Sequence, residues 1–398
     1  MPPKNLTETE YGLSGYDALS PARGQVKIIA IKALQLKERG TLIKVETDAG
    51  ISGYGECHGS GQFARPAIAA LEGPRLPHLG LIGKDPLAIQ LHFHNMFYAY
   101  PQRGRIVRVL SGIDIALWDL AGRKYGLSVS KMLGGFRTKL PTYASTYHGQ
   151  DVPGGLDSPE AFADYALACK EKGFAGFKIH GWHDGDARKE ARNVLLVREC
   201  VGNDFALMLD PACQLRTYLD ALFVGRACDE ANYFWYEDPY RDTGVAATGH
   251  QRLRAQLRTP LLVSEHVRGV EQKAAFLLAG GCDLIHADPE YDLGITGAMK
   301  IAHFCEALGL DVQLHACGPA HRAVMSALRN THFYEMALIG PGMPNAIPPV
   351  YTSDYSDQPE DLASDGTVPV PRGPGLGVEY DWRYIEQNRT ALFVFGAK

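Results

Sequence analysis

The sequence contains no uninterrupted apolar run approaching the ~20 residues that cross a bilayer as a helix, and its mean hydropathy is −0.16. A helical membrane protein is excluded. It also lacks a basic surplus: 40 Lys and Arg stand against 45 Asp and Glu, a net charge of −5. Nothing is available to neutralise a phosphate backbone, so nucleic acid is not the expected partner. Cysteine is sparse, eight residues at positions 57, 169, 200, 213, 228, 282, 305 and 317 with no CxxC pair. That excludes a disulfide scaffold and predicts reduced thiols. The segment Met1–Asp17 has no apolar signal core, which leads to the expectation of a cytoplasmic protein. What remains is ordinary globular composition, 45% hydrophobic and 21% charged over 398 residues, enough for two or three domains.

Three textures follow one another along the chain. Residues 1–25 read as an extension. From Val26 to about Gly55 the pattern is a β-meander, with Arg39-Gly40 and Ala49-Gly50 as turns. Residues Pro66 to Leu133 are helical; in SGIDIALWDLAGRKYG, Ser111 is the expected N-cap and Gly126 the stop. These make a first α+β region over 26–139. From Leu140 short apolar runs alternate with amphipathic helices. Strands are expected at 141–149, 174–181, 205–210, 233–238, 260–266, 283–288, 311–316 and 333–338, with Ser158 and Thr296 as helix N-caps. Eight βα repeats in 140–339 predict a (β/α)₈-type barrel. Residues 340–398 are rich in Pro and Gly and are expected to return to the N-terminal region.

Barrel active sites lie at the C-terminal strand ends. There the sequence puts Lys178 and His180, Asp210, Glu237, Glu265, Asp288, His315 and Glu335. A lone strand-end acid is usually structural; seven consecutive strands ending in ionisable groups need another reason, because burying them is costly unless they pair or bind metal. Asp210, Glu237 and Glu265 fall on adjacent strands, and an all-oxygen triad suits Mg²⁺ better than Zn²⁺. A zinc site from His315, Cys317 and His321 lacks a paired motif. Lys178 and His180 share a strand face, and Asp288 beside His315 would orient its ring and raise its basicity. Cation, bases on two faces and acidic partner are the equipment for removing a proton next to a carboxylate.

These residues carry a resemblance. The chain resembles the enolase superfamily, mandelate racemase-like subgroup, from about Val26 to Gly377, through TLIKVETDAGISGYGE, IVRVLSGIDIALWDLAGRKYG, FKIH, MLDPA, YEDP, VSEH, ADPEYDLGITGAMKIA, LHACGPA and GPGLGVEYD. The resemblance implies a modified (β/α)₇β TIM barrel with an α+β capping domain completed by the C-terminal tail. It implies Mg²⁺ on Asp210, Glu237 and Glu265, an Asp288–His315 acid/base dyad, Glu335 against the substrate carboxylate or enolate, and a homo-oligomer. Relatives often carry Lys-x-Lys on the second strand; here the second position is His180, so either His180 takes the proton, or Lys178 does, depressed towards neutrality. Pro211-Ala212 departs from the pattern with a third-strand histidine, and Asp288 from the one with a sixth-strand lysine. His58, Gln62 or Arg65 in the capping loop, His148, and Trp182 as a pocket wall are secondary substrate-binding candidates, while His183 is expected in solvent. The expected activity is Mg²⁺-dependent dehydration of an acid sugar (aldonate or aldarate) through a metal-stabilised enediolate to a 2-keto-3-deoxy acid. The alternatives are racemisation or epimerisation of a 2-hydroxy acid, or cycloisomerisation of an anhydro sugar acid.

Overall fold

The computed structural model describes residues 25–37, 40–57, 61–73, 79–99, 106–240, 246–343 and 350–396. Strands β1 (Ile28–Leu36), β2 (Gly40–Thr47) and β3 (Ser52–Cys57) form the antiparallel meander. Gly40 and Gly50 take the positive φ that its turns need. The helix Ile106–Tyr125 lies across this sheet and is buried almost all round. Its close approach depends on the alternate glycines of β3: a Cβ at Gly53 or Gly55 would stand 2.0 Å from the carbonyl oxygen of Ala116 or Gly112.

The barrel strands are β4 (Lys139–Thr146), β5 (Gly176–His180), β6 (Ala206–Asp210), β7 (Trp235–Glu237), β8 (Leu261–Val263), β9 (Leu284–Ala287), β10 (Val312–Leu314) and β11 (Tyr334–Ile339). All eight fall within or beside the expected windows. They pair in parallel along the path β10-β9-β8-β7-β6-β5-β4-β11, a nearly closed barrel. Among the described residues no ladder joins β10 to β11; the seam is bridged by Gln313, whose Nε2 donates to Phe333 O at 2.7 Å. Strand β12 (Thr367–Pro369) adds antiparallel to β4. Strand β13 (Arg389–Gly396) pairs antiparallel with β1, so the chain's last described strand completes the N-terminal sheet.

Local signals explain some helix starts and misjudge others. Ser158 caps its helix as expected, accepting from Ala161 N–H at 3.1 Å. Ser111 does not: it lies within the helix, donates to Val107 O and accepts from Leu293 N–H at 3.0 Å. Thr296 is not an N-cap either. Left-handed Leu293 holds that position, and Asp114 from the N-terminal region accepts both Thr296 N–H (3.0 Å) and Thr296 Oγ1–H (2.7 Å). A carboxylate from one domain thus caps a helix of the other, the favourable end of its dipole. Burial pushes the Asp114 carboxyl up to about 7 despite those bonds. Asp119, five residues further along the N-terminal-region helix, accepts N–H groups from Tyr54 and from Leu376 in the tail motif.

Candidate active site

The barrel floor is an apolar plug of Tyr143, Met208, Trp235, Leu262 and Leu284. Lys178 rises from the middle of β5 over the Tyr143 ring, centroid 5.6 Å away. Its Nζ lies 3.0 Å from Glu237 Oε1, 3.0 Å from Glu335 Oε1 and 3.7 Å from Asp210 Oδ2. Burial alone would lower its pKa; Glu237 and Glu335 outweigh burial and hold the ammonium charged. His180 sits two residues on, at the rim. Its Nδ1 is 2.5 Å from Thr146 O, consistent with donation there, and its Nε2 is 2.9 Å from Asp210 Oδ2.

The three predicted metal carboxylates end or follow successive strands: Asp210 closes β6, Glu237 closes β7, and Glu265 lies two residues beyond β8. Glu237 is fully buried and is held by Trp235 Nε1–H at 2.8 Å and His286 Nε2 at 2.9 Å. Lysine and histidine neighbours pull all three acids below their ordinary values against the cost of burial. Across the rim, His315 directly follows β10. Its Nδ1 is 2.7 Å from Asp288 Oδ2 and its Nε2 is 3.7 Å from Glu265 Oε1. Burial opposes its charging, but Glu265 and Asp288 push its pKa up to about 10. His321 Nε2 lies 3.4 Å from the other Asp288 oxygen.

Glu335 departs from expectation. It is the second residue of β11, not its end. From there it reaches both Lys178 and, at 2.6 Å, the N–H of Ala316, tying β11 to the loop that carries His315 across the barrel seam. Trp182 is also displaced from its predicted role. It is buried against Phe162 with the Lys189 ammonium 3.7 Å from its ring centroid, and does not line the cavity. His148 does line it, its ring 5.1 Å from that of His180; burial first, then His180, lowers its pKa to about 4. His183 is half exposed and meets Asp151. Gln62 and Arg65 are exposed, and His58 lies outside the described residues.

Several participants escaped sequence reasoning. His286 precedes Asp288 by two and shares its strand face, a signal that was present. Asp238 was visible only inside YEDP; its carboxylate accepts the N–H groups of Ser264 and Glu265, shaping the turn that presents Glu265. Ala212, Cys213, Asp238, Ser264 and Ala316 all have positive φ, and all adjoin or lie close to site residues. Non-glycine residues pay ~1–3 kcal/mol each for such backbone, which clusters where a site is over-determined.

The donor set fits a divalent cation. It is all oxygen, and its negative charge is incompletely balanced: burial, then Glu265, Asp210 and Glu237, drive the Asp238 carboxyl well up. Among the described residues, ligand-capable atoms of Asp238, Glu265 and His266 lie within 4.8 Å of one another; Asp210 is instead drawn to His180, and Glu237 to Lys178 and His286. Above the rim is a cavity of about 510 Å³ whose walls include Glu56, His148, His180, Glu265, His315 and Tyr351.

A barrel rim of carboxylates with a histidine on either flank has the form of an enzyme active site. Comparison with known proteins agrees. Residues 23–134 match the mandelate racemase / muconate lactonizing enzyme N-terminal domain, and 161–384 the enolase C-terminal domain-like family. The chain belongs to the enolase superfamily, in its mandelate racemase-like branch. It is 31% identical over 372 residues to a D-galactarolactone cycloisomerase of Agrobacterium fabrum, covering 89% of this chain and 90% of that one. A D-gluconate dehydratase of Thermoproteus tenax is 26% identical, over 88% of this chain and 69% of that one. The crystal structure of a D-glucarate dehydratase from Agrobacterium tumefaciens complexed with magnesium superposes with a TM-score of 0.76 at 26% identity, covering 92% of this chain and 98% of that one.

Proposed function

We propose that this enzyme is a Mg²⁺-dependent dehydratase of an acid sugar. One observation carries the reading: His180 and His315 line one cavity from opposite sides, each anchored through Nδ1 and each turning Nε2 towards the carboxylate rim. Asp210, Glu237 and Glu265 would hold the ion, which when bound neutralises charge building on the substrate carboxylate. Lys178, charged and fixed beneath the rim, supports that neutralisation from below through Glu237 and Glu335 without facing the cavity. His180 takes the proton from the carbon next to the substrate carboxylate. The contrast within β5 favours this choice over Lys178: His180 is a cavity wall, whereas Lys178 is 1% exposed and engaged by two glutamates. His315, oriented by Asp288, gives a proton to the departing 3-hydroxyl. The enol then becomes a 2-keto-3-deoxy acid.

Names among the relatives support dehydration of sugar acids, and the cycloisomerase supports a second reading in which the same enolate forms but another leaving group departs. Proton NMR in D₂O with Mg²⁺ and a panel of aldonic, aldaric and uronic acids and their lactones separates the two. A 2-keto-3-deoxy product that disappears with EDTA is expected. Deuterium at C2 with an epimer and no water loss, or ring opening of a lactone alone, would replace the dehydratase reading. The family resemblance further supports a cytoplasmic homo-oligomer; light scattering gives its order. No helix among the described residues is long and apolar enough to cross a membrane.

A further inference from the structure

Resting on the dehydratase reading, we propose that Lys273 and Asp292 are positioning residues, a buried ion pair that holds Asp288, and through it His315, in place for loss of the hydroxyl. Among the described residues two lysines are buried, Lys178 and Lys273, each 1% exposed. Lys178 belongs to the site already described. Lys273 stands on the helix Val270–Leu278, and neither it nor Asp292 lines the cavity. Its Nζ donates to Asp292 Oδ2 at 2.8 Å and to His286 O at 2.7 Å. Asp292 is fully buried, and burial raises its carboxyl above the ordinary range even with that ammonium beside it. Apolar residues of similar volume often stabilise a core as well as such a pair does, so stability of the fold gives this one no sufficient reason.

What Asp292 accepts supplies the reason. Its Oδ2 takes the N–H of Asp288 at 2.9 Å as well as the ammonium, and its Oδ1 takes the N–H of Gly269 at 3.1 Å, at the start of the helix that carries Lys273. The main chain closes the same turn from the other side, Asp292 N–H donating to Asp288 O at 2.8 Å. One residue thus holds both the N–H and the carbonyl of Asp288, while Lys273 holds β9 two residues earlier, at the His286 carbonyl. The Asp288 side chain in turn meets His315 Nδ1 at 2.7 Å. In the elimination step the C3–O bond breaks, the electron pair of the enediolate becomes the C2–C3 double bond, and the Nε2 proton of His315 leaves with the hydroxyl as water. A reacting group misplaced by ~1 Å loses ~100-fold in rate, so the anchor of Asp288 bears directly on that transfer. His180, on the opposite flank, is anchored by Thr146 and Asp210 instead. The pair therefore acts on departure of the hydroxyl and not on removal of the C2 proton.

The test uses the full-length enzyme in D₂O with saturating Mg²⁺ and an acid sugar that the unmodified enzyme turns over. Proton NMR follows two rates together, deuterium uptake at C2 of the remaining substrate and formation of the 2-keto-3-deoxy product. Asp292→Asn keeps the shape but offers one acceptor oxygen to the three donors that Asp292 now serves. Lys273→Met removes the ammonium and keeps most of the stem, and Lys273→Met with Asp292→Leu removes both charges should either single variant fail to fold. Thermal midpoints identify the folded variants. In each of these the ratio of exchange to product should rise ~10–100-fold, the scale on which partners behind a site's ligands act, with KM for the acid little changed. A pair that only stabilises the fold would lower both rates together. An unmoved or lowered ratio in a folded variant overturns the inference while leaving the dehydratase reading intact. Absence of exchange and product with every acid, in the unmodified enzyme, removes the dehydratase reading and this inference with it.

Discussion

Replacing Asp288 by Asn tests whether the dyad is machinery or merely packing. Asp288 Oδ1 accepts the N–H of Glu290 at 2.6 Å, and Oδ2 faces His315 Nδ1 at 2.7 Å. An asparagine has one acceptor oxygen. The Glu290 N–H claims it, so the amide NH₂ must turn towards His315. A donor then faces Nδ1, which has to present its lone pair and move the ring proton to Nε2. The ring also loses one of the three carboxylates that push its pKa up to about 10, the others being Glu265 and Glu335. It can no longer gain and release a proton at Nε2 without setting donor against donor. General acid–base catalysis contributes ~10²–10⁴-fold, and most of that should vanish from kcat, a rise of ~3–5 kcal/mol in the barrier. Shape is conserved, so the thermal midpoint should shift by only a few degrees. The assay is product formation by NMR with Mg²⁺ saturating, run beside His315→Asn. If Asp288→Asn kept activity within threefold of the parent while His315→Asn abolished it, the orienting role argued from the 2.7 Å contact would be wrong.

Four further outcomes follow from other contacts. Lys178→Met removes the cation shared by Glu237 and Glu335; activity should be lost and urea denaturation should read ~3–5 kcal/mol less stability, the usual cost of orphaning buried charge. Glu190 is 2% exposed, and burial followed by Asp184 raises its carboxyl from 4.5 to about 8. Its stabilising contribution is therefore complete below about pH 4.5 and is lost as pH rises through about 8; Glu190→Gln should flatten the fall of Tm across that window. Gly55→Ala forces a Cβ against the Gly112 carbonyl and should cost ~1–3 kcal/mol by calorimetry, as overpacking does. Chelation with EDTA should abolish turnover and added Mg²⁺ restore it, whereas Ca²⁺, larger and satisfied by looser coordination, should restore less.

The barrel was legible because its signals are local and repeated. Each strand is a short apolar run, each helix is amphipathic, and the period of the alternation is enough to count eight units. The polar residues that close those runs, Asp210, Glu237, Asp288 and His315, could be read by the same rule, since an ionisable group at the end of a buried strand has few other reasons to be there. Trp182 failed for a related reason. Position just past His180 places a side chain near the rim, but an indole beside Phe162 gains more from burial in the core than from facing water.

What stayed hidden depends on contacts between distant segments. Ser111 and Thr296 have the chemistry of N-caps, and a reading confined to neighbours assigns them that role. In the fold Ser111 accepts from Leu293 and Thr296 donates to Asp114, 182 residues away in each case. These bonds satisfy the start of one barrel helix from the other domain, so the cap signal was displaced across the interface and not absent. Glu335 shows the same displacement. Its run was correctly seen as a strand, but the strand begins one residue before it, and the rule of strand ends gives no reason for its burial. The reason is the open seam between β10 and β11. A carboxylate at the start of β11 accepts the Ala316 N–H that no ladder pairs and holds Lys178 with its other oxygen. One side chain thereby closes the barrel beside His315 and sets the charge on its floor. The seam, more than the strand pattern, makes that position ionisable.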